Sequence, residues 1–177
     1  MRARSFNHVG ITVSNFNRAV RFYWEVFGCP LVGVADTPVD RVRGFFKVGG
    51  VAGADPRCKI GWIRLPGGGV LEIFEFHPSE PPAAVPWNRV GLTHLCFNVR
   101  NLPGWHDYLK QRDVDIVSPP ERSPRGHSFF FVRDFDGNLI ELTDLGYKYH
   151  ALKWLGPLGG WIFRRGMYKE YYELPQG

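Results

Sequence analysis

Asn7-His8-Val9-Gly10-Ile11-Thr12-Val13-Ser14-Asn15 returns in outline as Thr93-His94-Leu95-Cys96-Phe97-Asn98-Val99-Arg100-Asn101. Further on, Gly69-Val70-Leu71-Glu72-Ile73-Phe74 returns as Gly137-Asn138-Leu139-Ile140-Glu141-Leu142. Each half opens with a histidine on a β-rich run and closes with a glutamate on another. Such self-similarity marks two copies of one supersecondary unit, neither of which buries its apolar face alone. If the copies pack about a pseudo-twofold, His8, Glu72, His94 and Glu141 converge on one point. Neutral imidazole with carboxylate is a donor set for Fe, Mn, Co, Ni or Zn.

The runs between these landmarks read as a β-α-β-β-β order, twice. Phe6 to Val13 is a strand. Ser14 or Asn15 caps a helix whose Ala19, Phe22, Tyr23 and Val26 fall on one face, and Gly28 stops it. Residues 29–35 and 42–48 read as strands, with a long loop over 49–57. Ile60 to Leu65 and Val70 to Phe76 are strands joined by the turn Pro66-Gly67-Gly68-Gly69. Pro78 to Pro86 contains four prolines and is a linker. In the second module Leu92 to Val99 is a strand. Asn101 and Pro103 open a helix with Trp105, Tyr108 and Leu109 inward. Val114 to Val117 is a strand and Pro119 to Gly126 a loop. Ser128 to Arg133 and Asn138 to Leu142 form a hairpin about Asp134-Phe135-Asp136-Gly137.

The fold class expected is therefore α+β: two βαβββ modules, 5–77 and 90–146, in one domain over 1–146, with the sheet cupped around a metal. An apolar extension follows over 147–177. His8 and Glu72 are 64 positions apart and His94 and Glu141 only 47, so the first module carries 17 extra residues. Their expected place is between Ala35 and Lys59, as a loop shaping the substrate pocket.

Strand parity sorts the candidates. Glu72, Phe74 and Phe76 share a face, and Glu75 and His77 take the opposite one. His8, Gly10 and Thr12 share a face, as do His94, Cys96 and Asn98. A lone histidine or glutamate on a strand is ordinarily structural. The repetition of both at equivalent places raises these four above that background. His77, His106, His127 and His150 have no such support; His106 is expected to face solvent and His127 to sit in a loop near the mouth. The glycine-rich turn at 66–69 leads into a strand and not a helix, so it is no phosphate cradle.

At 177 residues, 44 % hydrophobic and 15 % aromatic, the chain can fill one core. The formal net charge of +5 fits a mildly basic solvated surface, or else an anionic substrate such as a carboxylate or a thioester of coenzyme A. Its basic residues are scattered, without the aromatic interleaving of a single-strand binder, so nucleic acid is not an expected partner. No run is long enough to span a membrane, and no membrane partner is expected. Met1-Arg2-Ala3-Arg4 lacks a following apolar stretch, so no secretory signal is expected. Cys29, Cys58 and Cys96 are odd in number and widely spaced, which fits a reducing cytoplasm.

Phe6-Asn7-His8-Val9-Gly10-Ile11-Thr12-Val13, Arg18-Ala19-Val20-Arg21-Phe22-Tyr23 with Phe27-Gly28, Gly91-Leu92-Thr93-His94, and the hairpin Phe130 to Leu142 together resemble the vicinal oxygen chelate superfamily. That group includes glyoxalase I, methylmalonyl-CoA epimerase, extradiol dioxygenases, and fosfomycin- and bleomycin-resistance proteins. The resemblance covers residues 5–146. It implies paired βαβββ modules around a divalent metal that the substrate chelates through adjacent oxygens. By resemblance, His8, His94 and Glu141 are metal ligands, and Glu72 takes the place of a fourth ligand in glyoxalase-like members. Glu72 and Glu141 are then the catalytic carboxylates. A glutamate at 72 tilts the reading toward a lyase, isomerase or epimerase working by proton transfer next to a carbonyl. The alternatives are an extradiol-type dioxygenase and a metal-free antibiotic-binding resistance protein. Arg133-Asp134-Phe135-Asp136 departs from the commoner Asp-Pro-Asp-Gly of the family hairpin. The expected assembly is a homodimer.

The extension lies outside the resemblance. Leu152, Trp154, Leu155, Leu158, Trp161, Ile162 and Phe163 make it apolar, and Gly156, Pro157, Gly159 and Gly160 are expected to interrupt any long helix. Such a surface must be covered, by packing on its own domain, as a dimer contact or as a pocket lid.

Overall fold

The structure is a computed structural model, and it describes residues 5–38, 41, 44, 57–81 and 86–173. The strand expected over 42–48 and the loop expected over 49–57 fall, save Gly44 and Arg57, outside these residues. The chain divides into two compact units, 1–93 with 133–138, and 94–132 with 139–177.

In the first unit, β1 (His8–Thr12), α1 (Phe16–Phe27), β2 (Leu31–Thr37), β3 (Arg57–Arg64) and β4 (Val70–His77) follow in chain order. The sheet order is β1-β4-β3-β2, with β1 parallel to β4 and the other pairs antiparallel. The Asn15 side chain caps α1 by accepting from the Arg18 N–H at 2.8 Å. Gly28 ends it at φ 67°, and the Gly28 and Cys29 N–H groups close on the Trp24 and Tyr23 carbonyls. That left-handed cap costs a glycine little and most other residues more. Phe16, Ala19, Tyr23 and Val26 are buried with Val13, Ile63, Leu71 and Ile73. Phe22, expected inward, is half-buried at the margin of this core. Removing each large side chain from water contributes roughly 1.5–3 kcal/mol.

The turn 133–138 belongs to this unit. Asp134 is buried and accepts from the Asn138 backbone and amide N–H groups and from the Asp136 N–H, while the Tyr23 hydroxyl donates to it at 3.2 Å. Burial, then the Asp134 charge, pushes the Tyr23 phenol well above its ordinary value. Burial also raises the Asp134 carboxyl, against the lowering pull of its Asn138 and Asp136 donors.

In the second unit, β5 (Leu95–Asn98), α2 (Leu102–Lys110), β6 (Asp115–Ile116), β7 (Glu121–Arg122), β8 (Ser128–Arg133) and β9 (Leu139–Asp144) precede α3 (Lys148–Arg165) and a 3-10 turn at Lys169–Tyr172. The sheet order β5-β9-β8-β6 repeats that of the first unit, with β5 parallel to β9. Each repeat is thus βαβββ along its main sheet path, with β7 an added strand beside β8 in the second, and the class is α+β.

Several expectations need correction here. The strand expected over 92–99 is shorter, and His94 lies one residue before it. Part of the 119–126 loop pairs with β8 as β7. In α2 the buried residues are Leu102 and Leu109, while Trp105 and Tyr108 are half-buried. His106 does not simply face solvent: its ring meets the buried Phe130 edge-on at 5.8 Å. The glycines and Pro157 do not interrupt α3, which runs unbroken for 18 residues. Glycine lowers helix propensity without blocking the backbone, and a single proline removes one hydrogen bond. α3 has no fully buried residue, and Lys148 at its start donates to the Arg125 carbonyl.

Candidate metal centre

Both His–Glu pairs are built by the same backbone register. In the first unit Gly10 lies opposite Glu72 on the parallel pair β1/β4, and His8 opposite Val70. In the second Cys96 lies opposite Glu141 on β5/β9, and His94 is two residues before Cys96. Each histidine therefore stands diagonally across from its glutamate on one sheet face, within reach of long side chains. His8 Nε2 lies 3.4 Å from Glu72 Oε2, and His94 Nε2 lies 3.0 Å from Glu141 Oε2.

The surroundings of each pair decide what it can do. The Trp62 indole N–H, directly opposite Glu72 across β3/β4, donates to Glu72 Oε1 at 2.8 Å. That leaves Oε2 as the oxygen turned to His8. His8 Nδ1 lies 2.8 Å from Asn7 Oδ1. The tautomer that donates Nδ1–H to Asn7 leaves a lone pair on Nε2, facing a carboxylate oxygen. Two acceptors so placed need a cation or a proton between them. The His94 ring meets Phe131 edge-on at 5.5 Å. Cys96 is solvent-accessible, yet the protein atoms crowding its sulfur, and then Glu141, push its thiol up to about 12. Phe74 and Phe76 stack at 6.1 Å on the Glu72 side of β4.

The other candidates fall away from these pairs. Glu75 has the opposite parity and pairs with His77 at 3.6 Å. His127 Nδ1 lies 2.9 Å from Ser123 Oγ within its loop. His150 sits on α3 against Tyr149. Among the described residues no three His, Cys, Asp or Glu side chains are gathered as a ligand cluster; each unit presents a pair.

Sequence reasoning missed Trp62, Asn7 and Gly33. Trp62 was within reach of simple counting. The turn after Leu65 pairs Arg64 with Val70, and stepping back two residues on each strand brings Trp62 opposite Glu72. Gly33 makes room for it: a Cβ there would lie 3.0 Å from the Trp62 ring.

The model of the Glyoxalase/Bleomycin resistance protein/Dioxygenase superfamily matches residues 5–142. Among curated proteins, the chain is 21 % identical over 141 residues to the metallothiol transferase FosB of Staphylococcus haemolyticus, covering 78 % of this chain and 82 % of that protein. FosB of Staphylococcus epidermidis matches at the same identity over the same share. Among solved structures, a glyoxalase family protein from Bacillus cereus aligns at TM-score 0.67 and 19 % identity, covering 81 % of this chain and 95 % of that one. The trypanothione-dependent glyoxalase I of Leishmania major aligns at TM-score 0.62 and 20 % identity, covering 89 % of this chain and 99 % of that one.

Proposed function

The chain belongs to the Glyoxalase/Bleomycin resistance protein/Dioxygenase superfamily, and we propose that it is a divalent-metal-dependent enzyme that moves a proton next to a carbonyl of a small, anionic substrate. The reaction class is lyase, isomerase or epimerase, and the ligands are His8, Glu72, His94 and Glu141. The observation that carries this reading is the repeated register: Glu72 stands to His8 as Glu141 stands to His94. The donor set fits a first-row divalent cation, which when bound supplies Lewis-acid stabilisation of negative charge on a substrate oxygen.

The rest is done by the chain. Trp62 holds one oxygen of Glu72, so the other keeps a fixed direction, as a ligand or as a base. A positioned base contributes about 10²–10⁴-fold. Phe74 and Phe76 offer an apolar wall beside it, which keeps water from the abstracted proton. A homodimer is the expected assembly, read directly by sedimentation.

The test is solvent-deuterium incorporation, followed by NMR, at the carbon next to the carbonyl in α-hydroxy- and α-ketocarbonyl compounds and their thiol adducts. Metal-loaded protein is expected to exchange that hydrogen, and Glu72→Gln to lose about 10²–10⁴-fold. Fe(II)-dependent, stoichiometric oxygen uptake with a catechol overturns proton transfer in favour of a dioxygenase. Ligand binding by a protein that takes up no metal favours a resistance-type binder. The FosB relatives favour one second reading, metal-dependent thiol transfer. Metal-dependent loss of free thiol into a covalent adduct, without deuterium exchange, selects it.

A further inference from the structure

The extension carries an exposed apolar face with a cationic counterpart. Leu152, Trp154, Leu155, Leu158, Trp161 and Ile162 of α3 are each more than half exposed, Trp154 at 72 %. At about 100° per residue, Trp154, Leu155, Leu158, Trp161 and Ile162 fall within one arc of the helix with Arg165 among them, and Lys153 and Arg164 lie on the far side together with Phe163. Between Asp144 and Glu170 there are five basic residues, Lys148, Lys153, Arg164, Arg165 and Lys169, and no acidic one. The Arg165 guanidinium folds over the Trp161 ring at 4.1 Å, and the Lys153 ammonium lies 5.4 Å from Trp154. Tyr168, Tyr171 and Tyr172 follow directly, all exposed.

The helix is also one that water alone supports poorly. Each glycine costs about 1 kcal/mol against alanine and the internal proline about 3, and α3 holds Gly156, Gly159, Gly160 and Pro157. Among the described residues none of α3 is fully buried to offset this.

We propose that α3 docks, lying flat, on an anionic phospholipid bilayer through Trp154, Leu155, Leu158, Trp161 and Ile162, with its lysines and arginines on the headgroups. An apolar face with interfacial tryptophans, and charged side chains that are all basic, is the pattern of a surface-lying helix. A second copy fits less well, because Arg165 lies within the apolar arc and would enter the seam with no acidic residue on α3 to pair with it. Among the described residues no helix is long and apolar enough to cross a membrane, so the contact is with the surface. Against the expectation of no membrane partner, four of the chain's basic residues lie on α3 and a fifth, Lys169, follows it.

The test is co-sedimentation of the full chain with vesicles of phosphatidylcholine alone, or with about 30 % phosphatidylglycerol, enough to give the negative surface potential that attracts basic segments. Binding is expected on the anionic vesicles, with weakening as salt rises. Lys153→Glu with Arg164→Glu should lower it about 30-fold or more, and Leu158→Asp should abolish it. All three positions are exposed, and unchanged circular dichroism of the core guards against misfolding. No sedimentation with anionic vesicles overturns the proposal. So does a concentration-dependent dimer that Leu158→Asp breaks while vesicle binding stays absent, and that outcome assigns the face to a second copy.

Discussion

His8 and Glu72 lie 3.4 Å apart with the histidine side chain 49 % exposed, whereas His94 and Glu141 lie 3.0 Å apart with the histidine 25 % exposed. The same register makes both pairs, so the difference comes from their neighbours. Phe131 closes on His94 edge-on, and His94 precedes a strand anchored to β9. His8 has the adjacent Asn7 amide at its ring, and the rigid partner of its pair is the glutamate, held by Trp62. The first half thus holds its pair through the Asn7 and Trp62 side chains, and the second through the Phe131 ring on His94 and the Cys96 thiol on Glu141. A repeated backbone frame can keep a ligand set while letting each copy hold it through different neighbours.

The largest expected effect breaks the comparison at its tighter end. His94→Ala should strip the divalent metal, by elemental analysis, and any activity with it. His8→Ala should lower metal affinity less, because its side chain is the more exposed and less packed. Equal losses would show that packing around the histidine is irrelevant. Next is the indole: Trp62→Phe keeps the ring and removes the donor to Glu72 Oε1. Losing such an outer partner should cost about 10–100-fold in metal affinity, while unfolding midpoints move little. Metal affinity unchanged in that variant would mean that Glu72 needs no orientation. At the small end, Glu75→Gln should leave metal content unaltered, since Glu75 faces away and pairs with His77. A loss there would reverse the strand-face assignment.

Much of this was legible in the residues themselves. The two-residue period placed Glu72 and Glu75 on opposite faces, and Asn15 and Gly28 bounded α1 as cap and stop. The hairpin turn at Asp134 to Gly137 was readable from its turn residues, with Gly137 at φ 84°. What escaped depends on long-range contact. β5 starts at Leu95 opposite Ile140, one residue inside the start of β9. The edge-on contact of His106 with Phe130 joins a helix to a strand far along the chain. The persistence of α3 through four helix-weakening residues contradicts local propensity, which is a preference that surroundings override.

The most direct measurement is a calorimetric titration of metal-stripped protein with Co(II), counting ions bound per chain. The reading of His8, Glu72, His94 and Glu141 as one ligand set expects a single ion per chain in the wild type and none in His94→Ala. Two ions per chain, or one retained at full occupancy in His94→Ala, would contradict it.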